Sequence, residues 1–301
     1  MNAVVAGARR GHAGLYWFAV AMAALTLVTA VLAVVDQRTL LGAPLWFKPL
    51  KFAISFALYA GALAWMLERL PDRPMHRTGW VIVVTSTIEM LIIVGQAARG
   101  VRSHFNDDDA LGQILFGIMG ASIAVFYIAA AAVALRFLRE RTDDPATASA
   151  VRLGLTVALL GMSVGFVMVA IGSHAVGVPD GGPGLPFVGW STTGGDLRIG
   201  HFVGLHALQV LPLLAAGLAR FGRLDERART QIVQVTAAAY AALVLLVTWQ
   251  ALRAQPLLAP DAGTLVVLVA VAAGTAAALA TVLRSGARRN AVARSATPVG
   301  V

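Results

Sequence analysis

The chain alternates long apolar stretches with short polar connections, and the stretches number eight: near 14–35, 46–67, 79–98, 110–135, 153–175, 199–219, 231–252 and 263–283. Each approaches the roughly 20 residues that a helix needs to cross hydrocarbon. The pattern predicts an all-α integral membrane protein of eight transmembrane helices, with one domain over 1–284. Residues 285–301 are polar and rich in small side chains, so a disordered cytoplasmic tail is expected there. The first span is long for a signal-peptide core and lacks a small-residue cleavage site before Asp36, so it reads as a retained anchor.

Charge orients the bundle. Arginines cluster before the first span and in every second connection, from Arg9 and Arg10 through Arg69, Arg136 and Arg220 to Arg284. That side collects 17 of the 24 basic residues. Basic residues flanking spans stay cytoplasmic, so both termini are expected inside a plasma (inner) membrane. The polar residues embedded in the spans then fall almost entirely toward the outer face.

Composition agrees with the spans and narrows the chemistry. With 58% hydrophobic residues, 13% charged and a mean hydropathy of +0.76, a soluble domain is excluded. The pI near 11.1 comes from the cytoplasmic arginines, and no basic extramembrane domain exists to bind nucleic acid. The absence of cysteine removes thiolate catalysis, thiolate metal sites and disulfides.

Two weak echoes suggest a parallel four-plus-four repeat, with halves 14–138 and 151–284. Gln96-Ala97-Ala98-Arg99 ends the third span and Gln250-Ala251-Leu252-Arg253 ends the seventh. A shift of 155 also superimposes Phe47, Leu50 and Leu58 on Phe202, Leu205 and Leu213. The longest outer connection, Val176–Leu197, holds seven glycines and three prolines and has no helical or strand period, so it reads as a flexible cover. Asp196 is expected to cap the sixth span.

Ionisable residues inside hydrocarbon are costly to keep, and each marks a candidate function. Glu89 lies about 15 Å below the outer end of the third span. Thr85 and Gln96 share its face, at steps of four and seven residues. Lys48 and Lys51 begin the second span; Lys48 reads as snorkelling, whereas Lys51 is deep enough to meet inward-facing partners. The sixth span carries Arg198, His201, His206 and Gln209. On one continuous helix the two imidazoles stand about 140° apart, too far to grip one metal together. A hydrogen-bonded His206–Glu89 pair is the simplest use of these depths. His174 ends the fifth span, Arg99 ends the third, and His104 precedes the run Asp107-Asp108-Asp109, which reads mainly as solvated charge. Trp46, Trp190 and Trp249 fit an outer aromatic belt, and His12 and His76, at the inner boundary, carry no assignment.

Three functions fit this one-sided polarity. In one, His174, His201 and His206 ligate haem or a metal for redox chemistry. Eight helices in a four-plus-four arrangement with outward-side cofactors resemble the haem A synthase architecture, in arrangement only. No histidine lies in the second, fourth or eighth span, which would confine a bis-histidine site to spans five and six. In another, Arg99, Arg198 and Lys51 hold the polar or anionic head of a lipid-soluble molecule, such as a quinone or lipid phosphate. Gln96, His201 and Gln209 assist binding there, while Glu89 and His206 move protons as catalytic groups. In the third, Glu89 relays protons or serves transport of a small anion. A transporter would carry polar residues on both sides of the midplane, and the apolar inner half favours a site over a pathway.

Overall fold

The computed structural model describes residues 2–70, 73–140, 144–220 and 224–295. Helices make up 76% of the chain, and sheet is limited to two short antiparallel ladders. A helix α1 (Asn2–Gly11) precedes α2 (Ala13–Val35). Strands β1 (Thr39–Leu40) and β2 (Ala43–Pro44) form a hairpin before α3 (Phe47–Leu67), α4 (Arg73–Arg99), α5 (Ala110–Arg139) and α6 (Pro145–Ile171). Strands β3 (Ala175–Val176) and β4 (Gly195–Asp196) pair across the next connection. There follow α7 (Arg198–Leu205), α8 (Ala207–Arg220), α9 (Glu226–Leu252) and α10 (Ala262–Ser295).

Seven helices are long and apolar enough to cross a membrane, and α7 with α8 passes the same test as one unit bent by 40°. The chain is therefore a multi-pass membrane protein by its apolar helices. Its exterior agrees, since Leu27, Val34 and Leu213 are each at least 70% exposed. Apolar surface on that scale needs hydrocarbon, not water, around it. The helix α10 continues past Arg284 to Ser295, through residues expected to be disordered. The last six positions, 296–301, lie outside the described residues, as do Arg141 and Arg223 of the charge pattern.

Within the bundle, α2 packs along α3, and α4 along α5, while α6 is gripped by α7, α8 and α9, with α10 resting on α9. One core joins α2–α6 around Leu15, Leu63, Val133 and Leu155, and Leu208 of α8 belongs to it. Glycines let α6 and α7 approach closely: a Cβ on Gly204 would lie 2.5 Å from the Gly161 Cα of α6. No side chain larger than hydrogen fits that crossing.

The sixth apolar stretch is not one straight helix. At His206 the backbone N–H is shared between the Phe202 and Val203 carbonyls, at 3.3 and 3.2 Å, and the axis turns. Two local weaknesses frame the break, Gly204 before it and Pro212 after it; a proline inside a helix leaves its i−4 carbonyl without a donor. Asp196 sits one residue further out than a capping position, with Leu197 at the cap. It still takes the first free N–H of the helix, from Arg198 at 3.0 Å.

His12 proves structural. Its Nδ1 accepts from Leu15 N–H at 3.0 Å and caps α2, while its Nε2 faces the His76 carbonyl at 2.9 Å. Trp46 is buried and donates Nε1–H to Asp36 at 2.8 Å, so it does not belong to an aromatic belt.

Candidate functional site

At the end of the bundle that carries both hairpins, a cavity of about 740 Å³ opens among α3, α4, α5, α6, α7 and α8. A stripe on α3, Lys48, Phe52, Ser55 and Tyr59, forms one wall, because steps of four, three and four residues keep one azimuth. Glu89 of α4 forms another, and His201, His206 and Gln209 line a third. Aromatic side chains make the deeper surface: Tyr59 packs on Phe126 with centroids 5.3 Å apart, and Phe52 on Phe202 at 6.1 Å.

The connection after α4 folds back into the bundle and brings His104 to Glu89, with Nε2 at 3.4 Å from Oε1. Glu89 is only 6% exposed at its side chain. The imidazole is held among Phe52, Phe105 and Phe116. With Nε2 protonated toward Glu89, Nδ1 accepts from the Ser103 hydroxyl at 3.2 Å. Burial keeps His104 below the ordinary imidazole range; the charge of Lys48 acts in the same direction, and Glu89 opposes both. The partner of Glu89 is therefore His104 and not His206.

The bend at His206 removes the azimuth argument that separated the two histidines of this segment, and both line the cavity. His201 Nδ1 is 2.8 Å from the Gly161 carbonyl. Donating that proton leaves Nε2 as the free acceptor. His174 stands at the cavity rim with Nδ1 3.3 Å from Asp180 Oδ1 and 4.0 Å from Asp196 Oδ1. Its pKa is pushed down to about 4, first by burial and then by repulsion from Arg198, against the attraction of the two aspartates. No three histidine, aspartate or glutamate side chains gather as metal ligands among the described residues. His174, His201 and His206 do not form such a group.

The cations divide into committed and uncommitted groups. Arg198 donates Nε–H and Nη2–H to the two oxygens of fully buried Asp196, at 2.9 and 2.6 Å, and Nη2 also reaches the Gly189 carbonyl at 2.5 Å. Lys51 donates to the carbonyls of Phe187 and Val188, at 3.2 and 3.0 Å. Three consecutive carbonyls, 187–189, are thus fixed by two cations, and the long connection lies over the cavity as an ordered cover with Phe187 packed on Phe47 at 5.4 Å. Lys48 faces the cavity within electrostatic reach of Glu89 and Asp180, and its ammonium makes no hydrogen bond to a described residue.

Gln96 and Arg99 do not line the cavity. Arg99 donates to Gln96 Oε1 at 2.5 Å and pairs with Asp109 at 3.5 Å, while Gln96 Nε2 reaches the Arg102 carbonyl at 3.3 Å. Both build the loop that delivers His104. The aspartate run is likewise used locally: Arg102 binds Asp107 and Asp108, and Asp109 caps α5 through Gly112 N–H.

Buried polar atoms without a partner concentrate at this cavity. Glu89 Oε2, Tyr59 Oη and both ends of the Gln209 amide lack a hydrogen bond, and His174 Nδ1 has only its approach to Asp180 and Asp196. Such atoms are costly to leave unsatisfied. Sequence reasoning missed His104, Lys48 and Tyr59 as site residues. The α3 stripe was a readable signal for the last two; nothing in the sequence places His104 beside Glu89. Comparison with protein families, with curated proteins and with solved structures returns no match for this chain.

Proposed function

We propose that this protein binds, and acts on, a lipid-soluble molecule whose polar head enters the cavity from the outer half of the membrane. The observation that carries the reading is the set of unpartnered polar atoms on Glu89, Tyr59 and Gln209 around one aromatic-floored cavity. A polar head satisfies them, and an apolar tail suits the remaining wall. The cavity wall also includes Gly120 of α5 and Phe166 and Val169 of α6, the last two 39% and 48% exposed at the surface of the bundle. A tail leaving the cavity between α5 and α6, past these residues, would reach hydrocarbon. The Glu89–His104 pair, beside the head, is the group that can hold or pass a proton.

The orientation follows from the positive-inside distribution of the arginines. Counting the bent α7–α8 pair as one span gives eight crossings and puts both termini in the cytoplasm, with the hairpin end outside. The four-plus-four repeat gains support from local geometry. Gln96 and Gln250 each donate to a carbonyl six residues on, and Arg99 and Arg253 each pair with the aspartate that caps the following helix. The packing of α2 on α3 and α4 on α5 is matched by α6 on α7–α8 and α9 on α10.

The test is extraction of the purified protein from its native membrane, with mass spectrometry of lipid-soluble molecules that co-purify. A stoichiometric species retained by the unaltered protein and lost from Glu89→Gln and Gln209→Leu supports the reading. A protein that retains nothing, and whose melting shifts with no lipid-soluble additive, overturns it.

A further inference from the structure

The head group's charge can be read from the commitments of the cavity's ions, given the reading above that the cavity takes a lipid-soluble molecule. Four cations line the cavity, Lys48, Lys51, Arg102 and Arg198, and the carboxylates beside them are Glu89 and Asp180 together with Asp196 on Arg198 and Asp107 and Asp108 on Arg102, so no net positive charge awaits a ligand. Arg198 is held bidentately by Asp196. Lys51 spends its donors on backbone carbonyls of the cover. Arg102 is held by Asp107 and Asp108. Of the four, Lys48 alone makes no hydrogen bond or ion pair with a described residue, and Glu89 already lies within its field.

A phosphate monoester would add between one and a half and two negative charges, roughly. It recruits several charge-assisted donors at once, usually from arginine forks. This cavity has no free fork and offers one ammonium. A neutral head with carbonyl oxygens has different needs. It takes neutral or singly charged donors, which Lys48, the Tyr59 hydroxyl and the Gln209 amide supply without disturbing the ion pairs. The aromatic pairs Phe52–Phe202 and Tyr59–Phe126 supply flat faces for a ring.

We infer that the cavity binds the ring of a neutral, tail-bearing carbonyl compound of the quinone class, and not the headgroup of a lipid phosphate. The carbonyl oxygens accept from Lys48 and Gln209, and the ring lies against the aromatic floor.

The experiment uses the full chain in nanodiscs with three probes: a short-tailed ubiquinone, dioctanoyl phosphatidic acid and dioctanoylglycerol. The expected result is a saturable rise in melting temperature with the quinone alone, and an affinity weakened by about ten-fold or more in Lys48→Gln. Gln209→Leu serves as a second variant, with the ligand-free melt as the check that each variant is folded. Saturable binding of phosphatidic acid but not quinone overturns the neutral-head inference, and preferential binding of the neutral glycerolipid overturns the assignment to the quinone class; both leave the lipid-soluble reading standing. Quinone binding unchanged in both folded variants also overturns the inference. Failure of all three probes with the unaltered protein removes the lipid-soluble reading itself.

Discussion

His104 reaches back from the connection after α4 to place Nε2 3.4 Å from Oε1 of Glu89, a residue some ten positions deep in the preceding helix. The pair joins a loop histidine to an intramembrane carboxylate, and the loop's internal hydrogen bonds hold it there. Glu89→Gln keeps the size and hydrogen-bonding capacity of the side chain, so the fold is expected to survive. Ligand affinity or activity is expected to fall by about ten-fold in Glu89→Gln and in His104→Ala, and little further in the double variant, as for residues acting as a unit. Additive losses in a double-mutant cycle would sink the pairing as a functional unit.

Asp196 is the counter-ion of Arg198. Asp196 has no exposed side-chain surface, and Arg198 has 21%. Asp196→Asn leaves a largely buried guanidinium without its counter-ion and is expected to destabilise the protein by about 3–5 kcal/mol. Arg198→Met added to that variant is expected to recover part of the loss. A melting temperature unchanged by Asp196→Asn would show that the pair contributes nothing to the fold.

Stability should also follow the protonation of His174. In the fold its pKa is about 4, under the combined influence of burial, Arg198, Asp180, Asp196 and Lys48, whereas an unfolded imidazole titrates near roughly 6.5. Between these values the unfolded chain binds the extra proton, so stability falls as pH drops from 6.5 toward 4. His174→Gln is expected to flatten that part of the curve in detergent melts. A slope identical in both proteins would assign the effect to other groups.

The tail route proposed between α5 and α6 predicts a difference between ligands of unequal tail length. A Cβ at Gly120 meets no neighbour within 4 Å and Gly120 lines the cavity, so Gly120→Trp adds its bulk to the cavity wall, with the ligand-free melt as the check that the variant is folded. It is expected to weaken binding of a long-tailed quinone by about ten-fold, a loss of roughly 1.4 kcal/mol, and to leave a tail-less analogue unaffected. Equal effects on the two ligands would place the route elsewhere.

Topology can be tested cleanly because the chain has no cysteine of its own. Thr193 is exposed in the long connection, and Arg220 is exposed at the other end of the bundle. Thr193→Cys should react with an impermeant maleimide on intact cells, and Arg220→Cys only after permeabilisation. The reverse pattern would invert the orientation.

What the sequence determines by itself is the membrane class, the position of the spans and the end at which costly polar residues collect. Each of these depends on local hydropathy, helical repeat or the charge of short connections, and needs no knowledge of which helices touch. It also made Glu89, His201, His206 and Gln209 visible as residues too polar for their depth. Only the tertiary structure decided their partners. His104 meets Glu89 because a ten-residue connection turns inward; Gln96 and Arg99 are withdrawn from the cavity to hold that turn. The sixth span bends at His206, where one N–H is shared between two carbonyls, so two histidines assigned to opposite faces line the same space. The glycine-rich connection became an ordered cover only because Lys51 and Arg198, distant in sequence or across a turn, capture its carbonyls. Hydropathy is a property of each segment, whereas pairing of buried charges depends on how segments pack.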